Sequence, residues 1–294
     1  MSKLFRSLMT IIMLMLMPAD NKIPDNEGFT YSIISDSAVI TGFEGEPEYI
    51  NIPPEIEGYP VTEVRDNAFY CCISLKQISL PDSVSYMGHH CFYGCSSLES
   101  IVLPANLTEV GMGCFCGCTS LAAISIPETI ASLPDSCFRA CTSLDNIMIP
   151  QNVKSIENFC FSGCISLSSI SLSGNLDSIG DYAFFMCNSL KSLYIPPSVE
   201  VIGDHAVGYV PGNDAPGLMK DFMLLGENDS AAMEYADENG LSFNEETGAV
   251  QAFAVVKNIT GRNTAPRIFI ISGSVLFGIL IIIVSHFIRR ENDQ

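Results

Sequence analysis

The chain has 294 residues, 33 Asp and Glu against 14 Lys and Arg, a formal net charge of −19 and no tryptophan. A surface this acidic has little with which to neutralise phosphates, which argues against nucleic acid as a partner and against docking on anionic lipid headgroups. The same acidity keeps a stacked-strand protein soluble and discourages end-to-end association.

Met1–Ala19 carries Lys3 and Arg6, then an apolar run from Leu8 to Met17, then Pro18-Ala19. That arrangement fits a secretory signal peptide cleaved near Ala19. The run is too short to cross ~30 Å of hydrocarbon; an uncleaved anchor or a core helix is the alternative. Residues 20–60 read as an N-terminal cap and entry unit, and residues 61–210 as a repeat array.

The array has a period of 23 residues. Phenylalanine recurs at Phe69, Phe92, Phe115, Phe138, Phe161 and Phe184, with Val207 in a worn last copy. Cysteine follows three residues on, at Cys72, Cys95, Cys118, Cys141, Cys164 and Cys187, and leucine three further, from Leu75 to Leu190. An alternating apolar pair comes next, such as Ile78/Leu80 and Ile147/Ile149, usually closed by proline. Alternation puts each pair on one face of a short strand, and proline ends the strand because it lacks an N–H. Stacked at ~4.8 Å, such strands form a parallel sheet with an apolar inner face. A second apolar pair (Val84/Met87 in one copy, Val199/Ile202 in another) predicts a short extended or 3₁₀ stretch on the opposite side. Glycines after it, at Gly88, Gly111, Gly180 and Gly203, read as tight-turn residues. A fixed period of this length means a solenoid whose units bury their faces only against their neighbours.

The unit C-x-S-L-x-x-I-x-L-P-x-x-V-x-x-I-G-x-x-A-F resembles the BspA-like subclass of leucine-rich repeats over residues 60–210, with Ile50–Val64 similar to the family's entry unit. The resemblance implies a leucine-rich repeat solenoid, with stacked parallel β-strands on the concave side and short extended, 3₁₀ or helical turns on the convex side. It also implies surface display and adhesion-type binding.

Residues 211–243 read as a C-terminal cap, with a strand over Asp221–Leu225 and a helix from Ser230 to Asn239 ended by Gly240. Residues 244–266 read as a stalk and 267–288 as a transmembrane helix. Its core, Ile268–Ile288, has no Asp, Glu, Lys or Arg and is long enough to span a bilayer. Arg289-Arg290 opens a short cytoplasmic tail, residues 289–294, and the repeats are expected outside.

Six of the twelve cysteines share one repeat position; Cys91, Cys114, Cys137 and Cys160 share another with Ala68, Ala183 and Ala206. A site that accepts Ala or Cys asks for a small buried side chain, so free structural thiols are expected. Disulfides between neighbouring units, or a metal at Cys114, Cys116 and Cys118, remain alternatives. His89-His90 reads as a solvated turn pair rather than a metal site. Asn106, Asn228 and Asn258 begin glycosylation-type triplets. No nucleophile motif, paired acid and base or phosphate loop is present, so no catalytic residue, cofactor or metal is expected.

Binding is then the default, with an extracellular or neighbouring-cell protein as partner. Six of the twelve outward positions of the first strand are serine and only one is aromatic, which leaves Asn146, Met148 and Tyr194 as candidates on the concave face. A structural envelope protein without a ligand, a receptor that signals inward through a partner, and a surface enzyme are the competing readings.

Overall fold

The structure, a computed structural model, describes residues 28–246. The signal peptide, the transmembrane run, the tail, Asn258 and all but the first residues of the stalk lie outside that range. Among the described residues no helix is long and apolar enough to cross a membrane.

The L-x-x-I-x-L segments form the first face of the solenoid. Its strands are Tyr49–Asn51, Gln77–Ser79, Ser100–Val102, Asn146–Met148, Ser169–Ser171, Ser192–Tyr194, Met223–Gly226 and Ser242–Glu245. Paired strands run parallel in the expected register, Ile78 against Ile101 and Ile147 against Ile170. The rung Ala123–Ser125 is not a strand, yet Ile124 stays buried in line with its counterparts. Counting that rung, the described residues make nine turns. Every central residue points inward, so one hydrophobic core runs from Phe29 to Ala236.

The second apolar pair forms a second parallel ladder of two-residue strands, from Tyr86–Met87 to Val201–Ile202. It breaks once, between Glu109–Val110 and Ser132–Leu133. Pro134 explains the break. Gly88, Gly111, Glu157, Gly180 and Gly203 each donate a backbone N–H to the rung before, at 2.7–2.9 Å; Pro134 occupies the same repeat position and has no N–H to give.

The glycines at this position correct the tight-turn reading. None of Gly88, Gly111, Gly180 and Gly203 has a positive φ. At these four rungs the neighbouring backbone sits too close for a side chain, a Cβ on Gly111 lying 2.4 Å from the Gly88 carbonyl carbon and one on Gly203 lying 2.5 Å from the Asp181 nitrogen, whereas the same repeat position admits Pro134 and Glu157.

The Phe turns close each unit. Phe69, Phe92, Phe115, Phe138, Phe161 and Phe184 are fully buried and stack in series, ring centroids 5.2–5.6 Å apart. Each such pair contributes roughly 0.5–1.5 kcal/mol beyond its burial. Their backbone N–H groups donate to the next unit, from Phe69 to Cys91 and on to Phe184 to Ala206.

Both ends are capped by different devices. At the N-terminus Phe29–Ile34 and Ser37–Phe43 form an antiparallel hairpin, its two-residue turn Ser35-Asp36 held at φ 49° and 61°. Ser37–Phe43 then pairs parallel with Tyr59–Val64. At the C-terminus the strand is Met223–Gly226, two residues later in its start than the sequence suggests, and α1 spans Ala231–Asn239 with Ser230 as N-cap and Gly240 in the left-handed conformation. The last strand, Ser242–Glu245, pairs with Met223–Gly226 and so carries the solenoid two residues past the cap boundary at 243. Among the described residues no further Phe turn follows to accept the Val207 N–H. The Tyr235 hydroxyl of α1 takes that N–H at 3.2 Å instead and donates to the Val207 carbonyl at 3.3 Å. Burial pushes the Tyr235 phenol up to about 12. Replacing Tyr235 by Phe strands a buried N–H and is expected to cost about 1–3 kcal/mol, measured by urea unfolding; an unchanged midpoint would remove the phenol from the capping role.

Candidate interaction surfaces

Half of the outward positions of the first face are serine, as read from the sequence. Asn146 is exposed and Met148 is 49% exposed, with Ser171 beside it in register. Tyr194 occupies an outward register position, opposite Leu225, but is only 6% exposed. The structure therefore presents two of the three candidate residues, Asn146 and Met148, on that face.

All twelve cysteines are free thiols. The six-membered column does more than fill space. Cys95, Cys118, Cys141, Cys164 and Cys187 each donate the thiol to the carbonyl of the Phe one unit and three residues back, at 3.1–3.3 Å. That carbonyl also accepts the backbone N–H of its own unit's cysteine, as Phe69 does from Cys72 at 3.2 Å. Burial raises these thiols, Cys164 to about 12, and pushes Cys141 and Cys187 well above the ordinary range. A thiol held protonated is a poor nucleophile and a poor metal ligand. Among the described residues no group of three or more Cys, His, Asp or Glu could hold a metal.

The histidine pair is built into the turn. His89 accepts the Met112 backbone N–H on Nδ1 at 2.9 Å, as Asp66, Asn158 and Asp181 accept from the residue 23 positions on with their side-chain oxygens. His90 lies edge-on to Tyr93, which stacks on Tyr70 at 4.9 Å. The triplet at Asn106 has its side-chain amide engaged with the Asp82 carbonyl at 3.2 Å.

One surface is missed by reading only the strands. The position two before each Phe is left-handed throughout: Asn67, His90, Gly113, Ser136, Phe159, Tyr182 and His205 have φ of 52–61°. Such a conformation costs an L-residue roughly 1–2 kcal/mol and is exceptional for bulky side chains. Yet Phe159, Tyr182 and His205 occupy it and stack, with centroids 5.1 and 5.2 Å apart. Reading that column at the repeat period would have revealed it.

Parallel 23-residue rungs, an inner leucine and isoleucine face and a Phe-x-x-Cys return turn define a leucine-rich repeat solenoid. The model of the BspA type leucine rich repeat region matches in six copies, over residues 62–173 and 108–210. These spans take in just over half of the chain, and the protein belongs to that family.

Among solved structures, a leucine rich repeat protein of T. pallidum is similar at 28% identity and a TM-score of 0.55, over 76% of this chain and 98% of that one. A leucine rich cell surface protein of Faecalibacterium prausnitzii A2-165 is similar at 25% identity and a TM-score of 0.53, over 64% of this chain and 56% of that one. A leucine-rich repeat protein of Eubacterium ventriosum shares the fold at 22% identity and a TM-score of 0.52, over 66% and 55% of the two chains. No curated protein matches the chain.

Proposed function

We propose that the protein is a non-catalytic binding module displayed at a cell surface, held by the 267–288 segment with its repeats outside, and that it engages an extracellular or neighbouring-cell protein. The observation that carries this reading is Met148, 49% exposed on a serine-lined sheet face with Asn146 exposed two residues before it. Methionine is adaptable and recurs at surfaces that bind protein, and a rigid ladder presents it without an ordering cost. The F. prausnitzii relative's description as a cell surface protein supports the location. Membership of the BspA type leucine rich repeat family supports a binding role for the repeats.

Affinity capture with the full chain, native against Asn146→Ala/Met148→Ala, tests the proposal. Partners enriched by the native bait should fall at least tenfold with the variant. Capture of nothing under several conditions favours the structural envelope reading, and partners retained by the variant move binding off this face.

A further inference from the structure

The return-turn edge carries an aromatic column that the solenoid does not need. Phe159, Tyr182 and His205 stack in line, and Phe185 and Tyr209 meet the column edge-on at 5.5 and 4.6 Å. In sister units Asn67, Gly113 and Ser136 hold the same position with the same backbone, and those units keep the Phe stack and thiol bonds unchanged. The aromatic side chains are therefore placed against backbone preference, and strain retained without a fold requirement points to function.

The charges beside the column define what it fits. Asp181 and Asp204 directly precede Tyr182 and His205, are exposed, and enter no ion pair among the described residues. At the other end the Arg139 guanidinium lies over Phe159, 5.4 Å from the ring centroid, and is itself exposed and without an ion pair. The chain's own arginine thus demonstrates that the end of the stack accepts a guanidinium face. Arginine combines a planar face for aromatic rings with a donor fork for carboxylates, which matches rings beside the exposed Asp181 and Asp204 carboxylates, Asp181 having one oxygen left beyond the one that accepts the Asp204 N–H, on a chain of net charge −19. Arg139 closes the Phe159 end, so an incoming cation is directed to the Asp181–Asp204 end.

We propose that this edge docks an arginine-bearing segment of a partner protein. The inference rests on the reading of the chain as a binding module but assigns contact to the turn edge, where the Met148 face plays no part.

The test uses the full chain and a labelled hexa-arginine peptide at about 0.15 M salt, where distant charges are screened. The variant is Phe159→Gly/Tyr182→Asn/His205→Asn, which relieves left-handed strain and leaves the formal charge unchanged. The expected result is at least a tenfold loss of peptide affinity with a melting temperature equal to or above that of the native protein. Three results would each overturn the proposal: unchanged affinity, which makes the attraction generic to net charge; a variant that melts several degrees lower, which makes the stack structural; or no binding of the peptide by the native chain. A neutral chitohexaose probe that binds in a column-dependent way would assign the edge to sugars and overturn the cationic partner. Asn146→Ala/Met148→Ala separates the two surfaces: it should leave peptide affinity intact. If it abolishes cell-protein capture while the column variant changes nothing, the proposed function stands and this inference falls.

Discussion

Raising the pH from about 8 to about 10 is expected to unfold the solenoid, reversibly and under reducing conditions. Unfolded thiols ionise near 8.5, whereas burial raises Cys72, Cys91, Cys95, Cys116, Cys118, Cys137, Cys141, Cys160, Cys164 and Cys187 in the folded chain. A group whose folded pKa is raised gives stability that is fully present below its unfolded pKa and lost as pH rises toward the folded value, about 12 for Cys164. Each deeply buried thiol removes up to about 1.4 kcal/mol per pH unit in that window. A domain holds only about 5–15 kcal/mol, so several thiols acting together exhaust it within one or two units. Lys76, raised by its hydrogen bond to Glu48, acts in the same direction, but it is surface exposed and adds little. Circular dichroism against pH reads the transition. A control isolates the cause: Cys91→Ala/Cys137→Ala/Cys160→Ala, at a position where Ala68, Ala183 and Ala206 already fit, should move the midpoint upward. A native fold persisting past pH 10.5 or so would show that the thiols do not carry the effect.

Deleting Met112–Pro134, one whole period of 23 residues, is expected to leave a cooperative, shorter solenoid. Gly111 would then run into Asp135, Phe92 would stack on Phe138, and the Cys141 thiol would meet the Phe92 carbonyl. The deletion also removes Pro134, so the second ladder becomes continuous. Thermal melting should shift by no more than about 5 °C, because stability in such arrays is close to a sum of unit and interface contributions. Deleting only Met112–Ala123 places strand segments over turns and turns buried rings into the wrong layer. That variant should show no cooperative transition. A half-period deletion that melts no lower than the whole-period one is incompatible with a stacked-unit protein.

The fold was legible because one residue type per position repeats, and the physical demand at each position is the same in every unit. The Phe, Leu and Ile columns and the parallel register follow from that regularity, while the capping helix Ala231–Asn239 was legible from Ser230 and Gly240 at its two ends. What escaped depends on distances between rungs rather than on pattern along one. Gly203 looks like a turn residue until the Asp181 backbone is seen beneath it. The cysteine column passes for filler until five of its six thiols are found on Phe carbonyls. Tyr194 reads as outward by alternation but is 6% exposed. The turn-edge rings of Phe159, Tyr182 and His205 share a position that holds Asn67, Gly113 and Ser136 in other units, so a common backbone conformation rather than a common residue type marks it.

Pro134 makes the bonding across one joint of the stack uneven. At that joint the second ladder loses its backbone bond, while the turn edge keeps three, from Gly113 to Asp135, Phe115 to Cys137 and Gly117 to Arg139, at 2.8–2.9 Å. The joint is therefore held by backbone bonds on the turn edge and, on the ladder side, by the Thr129 hydroxyl donating to the Leu107 carbonyl, and the column from Phe159 to His205 lies wholly on its C-terminal side.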